Sequence, residues 1–193
     1  HAGRGVRTDQ KWYHLDQSKP DFVGYQGVLT IFPATGKTGS TVVCPGSHKD
    51  HAENCARGGK QPRGAFVRLT APGDAEYCAA KAVQLAPLGA GDLVVWDSRV
   101  VHCSNGAAAD LCARHVREAR GLAPEAPLPS LLRLVAYIAM MPRSRASARQ
   151  LEQRRDAVRR GTGSGHDPLK VRASAPSRHY RAPASDDPRW RLV

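Results

Sequence analysis

His14 and Asp16, two residues apart in WYHLDQ, and His102, closing the run GDLVVWDSRVVH, are the side chains best suited to holding a reactive metal. Residues two apart on an extended strand share a face, so one imidazole and one carboxylate turn toward the same ion while Leu15 points away. Two histidines and one carboxylate on one side of Fe(II) leave three positions open, which is what oxygen-activating chemistry requires. His102 is expected to come alongside from a second strand. Leu93 to Trp96 is a strand-like run introduced by the turn residues Gly89, Gly91 and Asp92. An HxD triplet also arises by chance, and a lone histidine is commonly solvated or hydrogen-bonded, so the weight rests on the flanking segments.

A second ligand set competes. Cys44, His48, His51 and Cys55 place two thiols and two imidazoles within twelve residues, a set that can bind zinc tetrahedrally. Pro45-Gly46, directly after Cys44, favours a turn closing the strand Thr41-Val42-Val43, which leaves His48 and His51 as loop residues near the mouth of a site.

In order along the chain, WYHLDQ, VVCPGSHKDH, GDLVVWDSRVVH and RLVAYIAMMPR resemble the phytanoyl-CoA dioxygenase family of Fe(II)/2-oxoglutarate oxygenases, over a stretch from Trp12 to about Arg143. The ordered series is more specific than any one of its pieces. The resemblance implies an all-β fold, a double-stranded β-helix (a cupin-like jelly roll) with peripheral helices. It implies Fe(II) held by His14, Asp16 and His102, with 2-oxoglutarate and O2 as cosubstrates and ascorbate as an accessory reductant. It also implies an arginine bound to the distal carboxylate of 2-oxoglutarate, and the matching position is Arg133. A buried dicarboxylate needs a partner that is always charged and binds in two-pronged fashion, and guanidinium meets that need better than ammonium. Arg133 is the one charge in the apolar run Leu131 to Ile138, so it requires a buried anion or an edge position. Its rival is Arg114, nearer to His102 but within the helix-like ADLCARHVREAR. Val135 stands where many relatives carry a hydroxyl that helps to hold the same carboxylate.

The implied activity is hydroxylation of a small organic substrate with release of succinate and CO2, and Asp16 argues for hydroxylation over halogenation because related halogenating enzymes lack that carboxylate. Two other classes stay open: a catalytically silent ligand-binding β-barrel, and a basic interaction module binding nucleic acid or anionic surfaces. The net charge is +12, with arginine dominating from Arg143 onward. Nucleic acid is the less favoured partner, since no aromatic residues are interleaved with the basic cluster to stack on bases. Anionic small substrates would also welcome the positive charge.

The 193 residues suit one core and a tail. The expected division is an oxygenase domain over residues 1–143, lacking its N-terminal part because only thirteen residues precede His14, and a basic helix with a loosely ordered tail over 144–193. No apolar run approaches the ~18 residues of a membrane span. Five cysteines, an odd number without a regular framework, point to reduced thiols and hence an intracellular, cytoplasmic setting.

The elements that must position these residues are expected as strands over 27–32, 40–44, 65–69, 93–96 and 131–140, and a helix over 74–81. Residues 45–64 read as a polar loop, and the insert after His102 as a helix and loop. A C-terminal helix is capped by Ser144 or Ser147 and ended by Gly161.

Overall fold

The computed structural model describes residues 7–8, 24–57, 67–162, 168–169, 179–188 and 190. The chain divides into two compact units, residues 1–138 and 139–193. Among the described residues the first unit is mostly β-sheet with a few short helices. In chain order it runs β1 (Arg7–Thr8), β2 (Tyr25–Thr30), β3 (Thr41–Val43), α1 (His51–Arg57), β4 (Val67–Arg68), α2 (Asp74–Lys81), β5 (Val83–Leu85), β6 (Leu93–Asp97), β7 (His102–Ser104), α3 (Ala113–Arg120) and β8 (Val135–Met140). The strands form a five-stranded sheet in the order β4-β1-β7-β3-β5 and a three-stranded sheet in the order β6-β2-β8.

Alternation sets the inner face of the smaller sheet. Gln26, Val28 and Thr30 of β2 are buried while Tyr25 is exposed. Antiparallel pairing places Trp96 opposite Gln26 and Val94 opposite Val28, so these β6 side chains join the same face, and Leu93 and Val95 point out to solvent. Gly27 makes the pairing possible, because a Cβ there would lie 2.7 Å from the carbonyl oxygen of Val94. The expected turn before β6 closes as Asp92 Oδ2 accepts from Gly89 N at 2.7 Å, and the Asp92 carbonyl accepts from Thr30 N at 2.9 Å.

In the larger sheet β7 is central and β3 lies beside it, with Val43 opposite His102 and Thr41 opposite Ser104. The connection from β2 turns at Gly39, whose φ of 95° suits glycine. A small core gathers Cys44, Leu69, Cys78 and Val101, with Tyr77 packed against it.

Two expectations need correction. The expected polar loop over 45–64 contains α1, and His51 opens that helix as a buried residue, not a loop residue at a mouth. The helix is fastened by polar contacts: Arg57 bonds Asp74 Oδ1 of α2 and Asn54 Oδ1, while Asp50 accepts from Tyr77 and Lys81, both at 2.8 Å. The last strand begins at Val135, not Leu131. The Leu131 carbonyl accepts from Arg120 of α3 at 2.6 Å, and the Leu134 carbonyl accepts from Ile31 and Phe32 N–H groups at 3.0 and 3.1 Å, so 131–134 is tied to α3 and to the end of β2.

In the second unit, α4 (Ala148–Arg160) starts at Ser147, whose side chain and that of Gln150 cap each other's backbone N–H groups, and stops at Gly161 with φ 68°. The sequence offered Ser144 and Ser147 as caps, and Ser147 is the one used. Arg155 and Arg159 pair with Glu152, and Arg160 with Asp156, along the helix surface. The Tyr180 hydroxyl donates to the Val158 carbonyl. Among the described residues no helix is long and apolar enough to cross a membrane.

Candidate functional site

The segment Asp97 to His102 is built as one unit. Arg99 closes on Asp97 through three side-chain bonds, Nε to Oδ1 at 3.0 Å and to Oδ2 at 3.2 Å, and Nη2 to Oδ2 at 2.6 Å. The Arg99 backbone N–H donates to Oδ1 at 2.9 Å, and Val100 N–H donates to the Asp97 carbonyl at 2.9 Å. Burial pushes the Asp97 carboxyl up, but these Arg99 bonds outweigh it and hold the group below the usual carboxylate range. The next residue but one, Val101, is fully buried. Its N–H donates to Ser47 Oγ at 2.8 Å, and its carbonyl accepts from Cys44 N–H at 2.8 Å. The PGSH turn therefore pins the backbone directly before His102.

His102 is 6% exposed. Its Nδ1 lies 2.8 Å from the Val100 carbonyl oxygen. A carbonyl only accepts, so Nδ1 carries the hydrogen, and in the neutral ring the lone pair is on Nε2. Such a backbone bond fixes the tautomer and orientation that a metal-binding imidazole needs. The Trp96 ring stands 5.1 Å from the His102 ring, centroid to centroid, bringing the inner faces of the two sheets together.

Arg133 lies two residues before β8 and is partly buried. One guanidinium nitrogen, Nη2, donates to Thr41 Oγ1 at 3.2 Å, while Nε is buried with no hydrogen-bond partner among the described residues. Directly opposed residues of an antiparallel pair share a face, so Thr41, Val43, His102 and Ser104 form one surface, over which Arg133 reaches. Thr41 and Val43 are two residues apart, about 7 Å along the strand. The arginine is thus anchored about that distance from the station of His102, and a five-carbon dicarboxylate spans a gap of this order. Tyr137 extends the surface, its hydroxyl 3.2 Å from Ser104 Oγ.

His14 and Asp16 lie outside the described residues. Arg114 is 70% exposed along its side chain and pairs with Glu118 at 2.9 Å on α3. Among the neighbouring residues, Trp96 faces His102, Arg99 is closed on Asp97, and Tyr25 lies half exposed on the opposite face of β2. Cys44, His48, His51 and Cys55 do not gather as a set of four. Cys44 enters the core, where burial first and then the neighbouring Cys78 push its thiol up to about 12. Cys55 instead stands 3.6 Å from a ring nitrogen of His51 within α1. Among the described residues no group of three or more His, Cys, Asp or Glu converges on one point.

Sequence reasoning missed Ser47 and Thr41. Ser47 lies within VVCPGSHKDH, yet nothing in PGSH says that its hydroxyl will receive the Val101 N–H. Thr41 was read only as part of a strand.

The crystal structure of EctD from S. alaskensis in its apo form matches with 18% identity and a TM-score of 0.43, over 74% of this chain and 40% of that one. The same protein with 2-oxoglutarate and 5-hydroxyectoine matches with 17% identity and a TM-score of 0.42, over 72% and 39%. The chain thus spans about two fifths of the length of these structures. No curated protein matches it. The family model for phytanoyl-CoA dioxygenase (PhyH) matches residues 1–115, a span that contains His14, Asp16, His102 and Arg114 and ends before Arg133. With more than half of its length under that model, the chain belongs to the phytanoyl-CoA dioxygenase family.

Proposed function

We propose that this chain is the catalytic part of an Fe(II)- and 2-oxoglutarate-dependent dioxygenase that hydroxylates a small organic molecule, its two sheets forming the halves of a double-stranded β-helix. The observation that carries this is the pairing of His102 and Arg133 on one buried face. The imidazole's Nδ1 is committed to the backbone, and the guanidinium has a buried N–H without a partner. Leaving such a donor buried and unpaired costs about 1–3 kcal/mol, more for a charged group, and an incoming carboxylate removes that cost.

In this reading His14, Asp16 and His102 hold Fe(II), Arg133 holds the distal carboxylate of 2-oxoglutarate, and residues 1–143 form the oxygenase domain. When bound, the iron and its cosubstrate supply with O2 the oxidising power, giving succinate and CO2 and delivering one oxygen atom to the substrate. The protein's own residues position and exclude. The Val100 carbonyl keeps the His102 ring turned, Ser47 keeps its backbone in place, and Thr41 orients Arg133. The hydroxyl from Thr41 reaches the guanidinium from β3, whereas Val135 offers none. Val43, Trp96 and Val28 line the inner faces with apolar surface, which keeps water from the reacting centre.

Iron-dependent formation of succinate from 2-oxoglutarate by the purified chain tests this. Activity lost in His102→Ala and Arg133→Ala is the expected result. A folded protein that binds both cofactors yet forms no succinate under any substrate screened would leave a ligand-binding barrel in its place.

A further inference from the structure

The orphaned nitrogen on Arg133 has a counterpart. Trp96 Nε1 is also buried and has no hydrogen-bond partner among the described residues. An indole N–H only donates, so its missing partner must offer an oxygen or nitrogen lone pair. Buried donors of this kind are rare because desolvation without a replacement bond is unfavourable. A third orphan, Asn54 Nδ2, belongs elsewhere: its residue sits on α1, where Oδ1 already holds Arg57.

Trp96 stands against His102, and Arg133 is held on the strand that pairs with His102. Trp96 projects from the inner face of the smaller sheet, opposite Gln26, with its ring 5.1 Å from that of His102. Arg133 is anchored at Thr41, the next inward-facing position along β3 from Val43, the residue opposite His102. One unsatisfied donor is therefore beside the imidazole and the other lies further along. A molecule with an oxygen at each end, one end at His102, meets both.

We propose that Trp96 is a positioning residue for the cosubstrate, its Nε1–H donating to the carboxylate of 2-oxoglutarate that lies beside His102, opposite the end held by Arg133. This rests on the oxygenase reading above. The ring packs on His102 and the N–H orients the ligand, and phenylalanine would keep the first role and lose the second.

The test titrates 2-oxoglutarate calorimetrically into the full chain loaded with Zn(II), a redox-inert and diamagnetic stand-in for iron. Trp96→Phe should weaken 2-oxoglutarate binding about tenfold or more, as loss of a hydrogen bond to a charged group does, with Zn(II) affinity unchanged. Equal affinity in wild type and variant would overturn the role of Trp96 and leave the oxygenase reading standing. No binding by the wild type would remove both. If Trp96→Phe does not fold, wild-type indole N–H resonances decide. The chain has three tryptophans, and the Trp96 signal is the one retained in both Trp12→Phe and Trp190→Phe. A downfield shift of that signal on adding 2-oxoglutarate supports the bond, and a stationary signal refutes it.

Discussion

At the scale of single residues, two side chains hold the account together, and each makes a distinct prediction. Arg133→Ala should weaken 2-oxoglutarate binding by a factor of ten to a hundred, about 1.4–2.8 kcal/mol, with Arg133→Lys in between because ammonium cannot repeat the fork. Arg114→Ala should leave it unchanged, since that side chain is exposed and paired with Glu118. Calorimetry on the three variants checks both statements. Ser47→Ala leaves the buried Val101 N–H without its acceptor, so urea unfolding should show a loss of about 1–3 kcal/mol, together with weaker metal binding because the backbone before His102 is released. Arg133 was legible in the sequence as a charge out of place in an apolar run, and His102 as the end of a strand-like segment, whereas His14 and Asp16 lie outside the described residues. The tautomer of His102 and the hydroxyl on Arg133 were not legible, because both depend on backbone and strand positions that no local pattern encodes.

At the scale of elements, strands with alternating or β-branched runs between Gly and Pro turns were readable, as were α2 and the Ser147 to Gly161 helix with its caps. The short helix α1 was not. His51 to Arg57 has no apolar stripe, and its stability comes from ion pairs and hydrogen bonds to α2, which are long-range. The start of β8 failed for a related reason: an apolar sequence marks a strand, but Arg120 takes the Leu131 carbonyl. Two predictions belong here. Gly27→Ala pushes a methyl against the Val94 carbonyl and should destabilise the β2–β6 pair, by about 1–3 kcal/mol in chemical denaturation. The turn between β6 and β7 gives a pH dependence. The folded-state pKa of Asp97 is depressed, so its contribution is complete above the unfolded value of 3.8 and is lost as pH falls through the lower folded one. Unfolding midpoints followed from neutral pH to about pH 3 should fall more steeply in the wild type than in Asp97→Asn.

At the scale of the whole molecule, the chain separates into a β-rich unit that carries His102 and Arg133 and a second unit whose arginines are in part already paired with Glu152 and Asp156. Charge alone suggested an interaction surface; along α4, Arg155, Arg159 and Arg160 are engaged with Glu152 and Asp156 in exposed pairs, which contribute little to stability. A chain ending at Arg143 is expected to keep its 2-oxoglutarate affinity, which calorimetry measures against the full length. The most direct test of the central claim is anaerobic addition of Fe(II) and 2-oxoglutarate to the purified chain, followed by visible absorption. A weak metal-to-ligand charge-transfer band is expected, disappearing in His14→Ala and in His102→Ala. A folded wild-type protein that shows no band would contradict the claim.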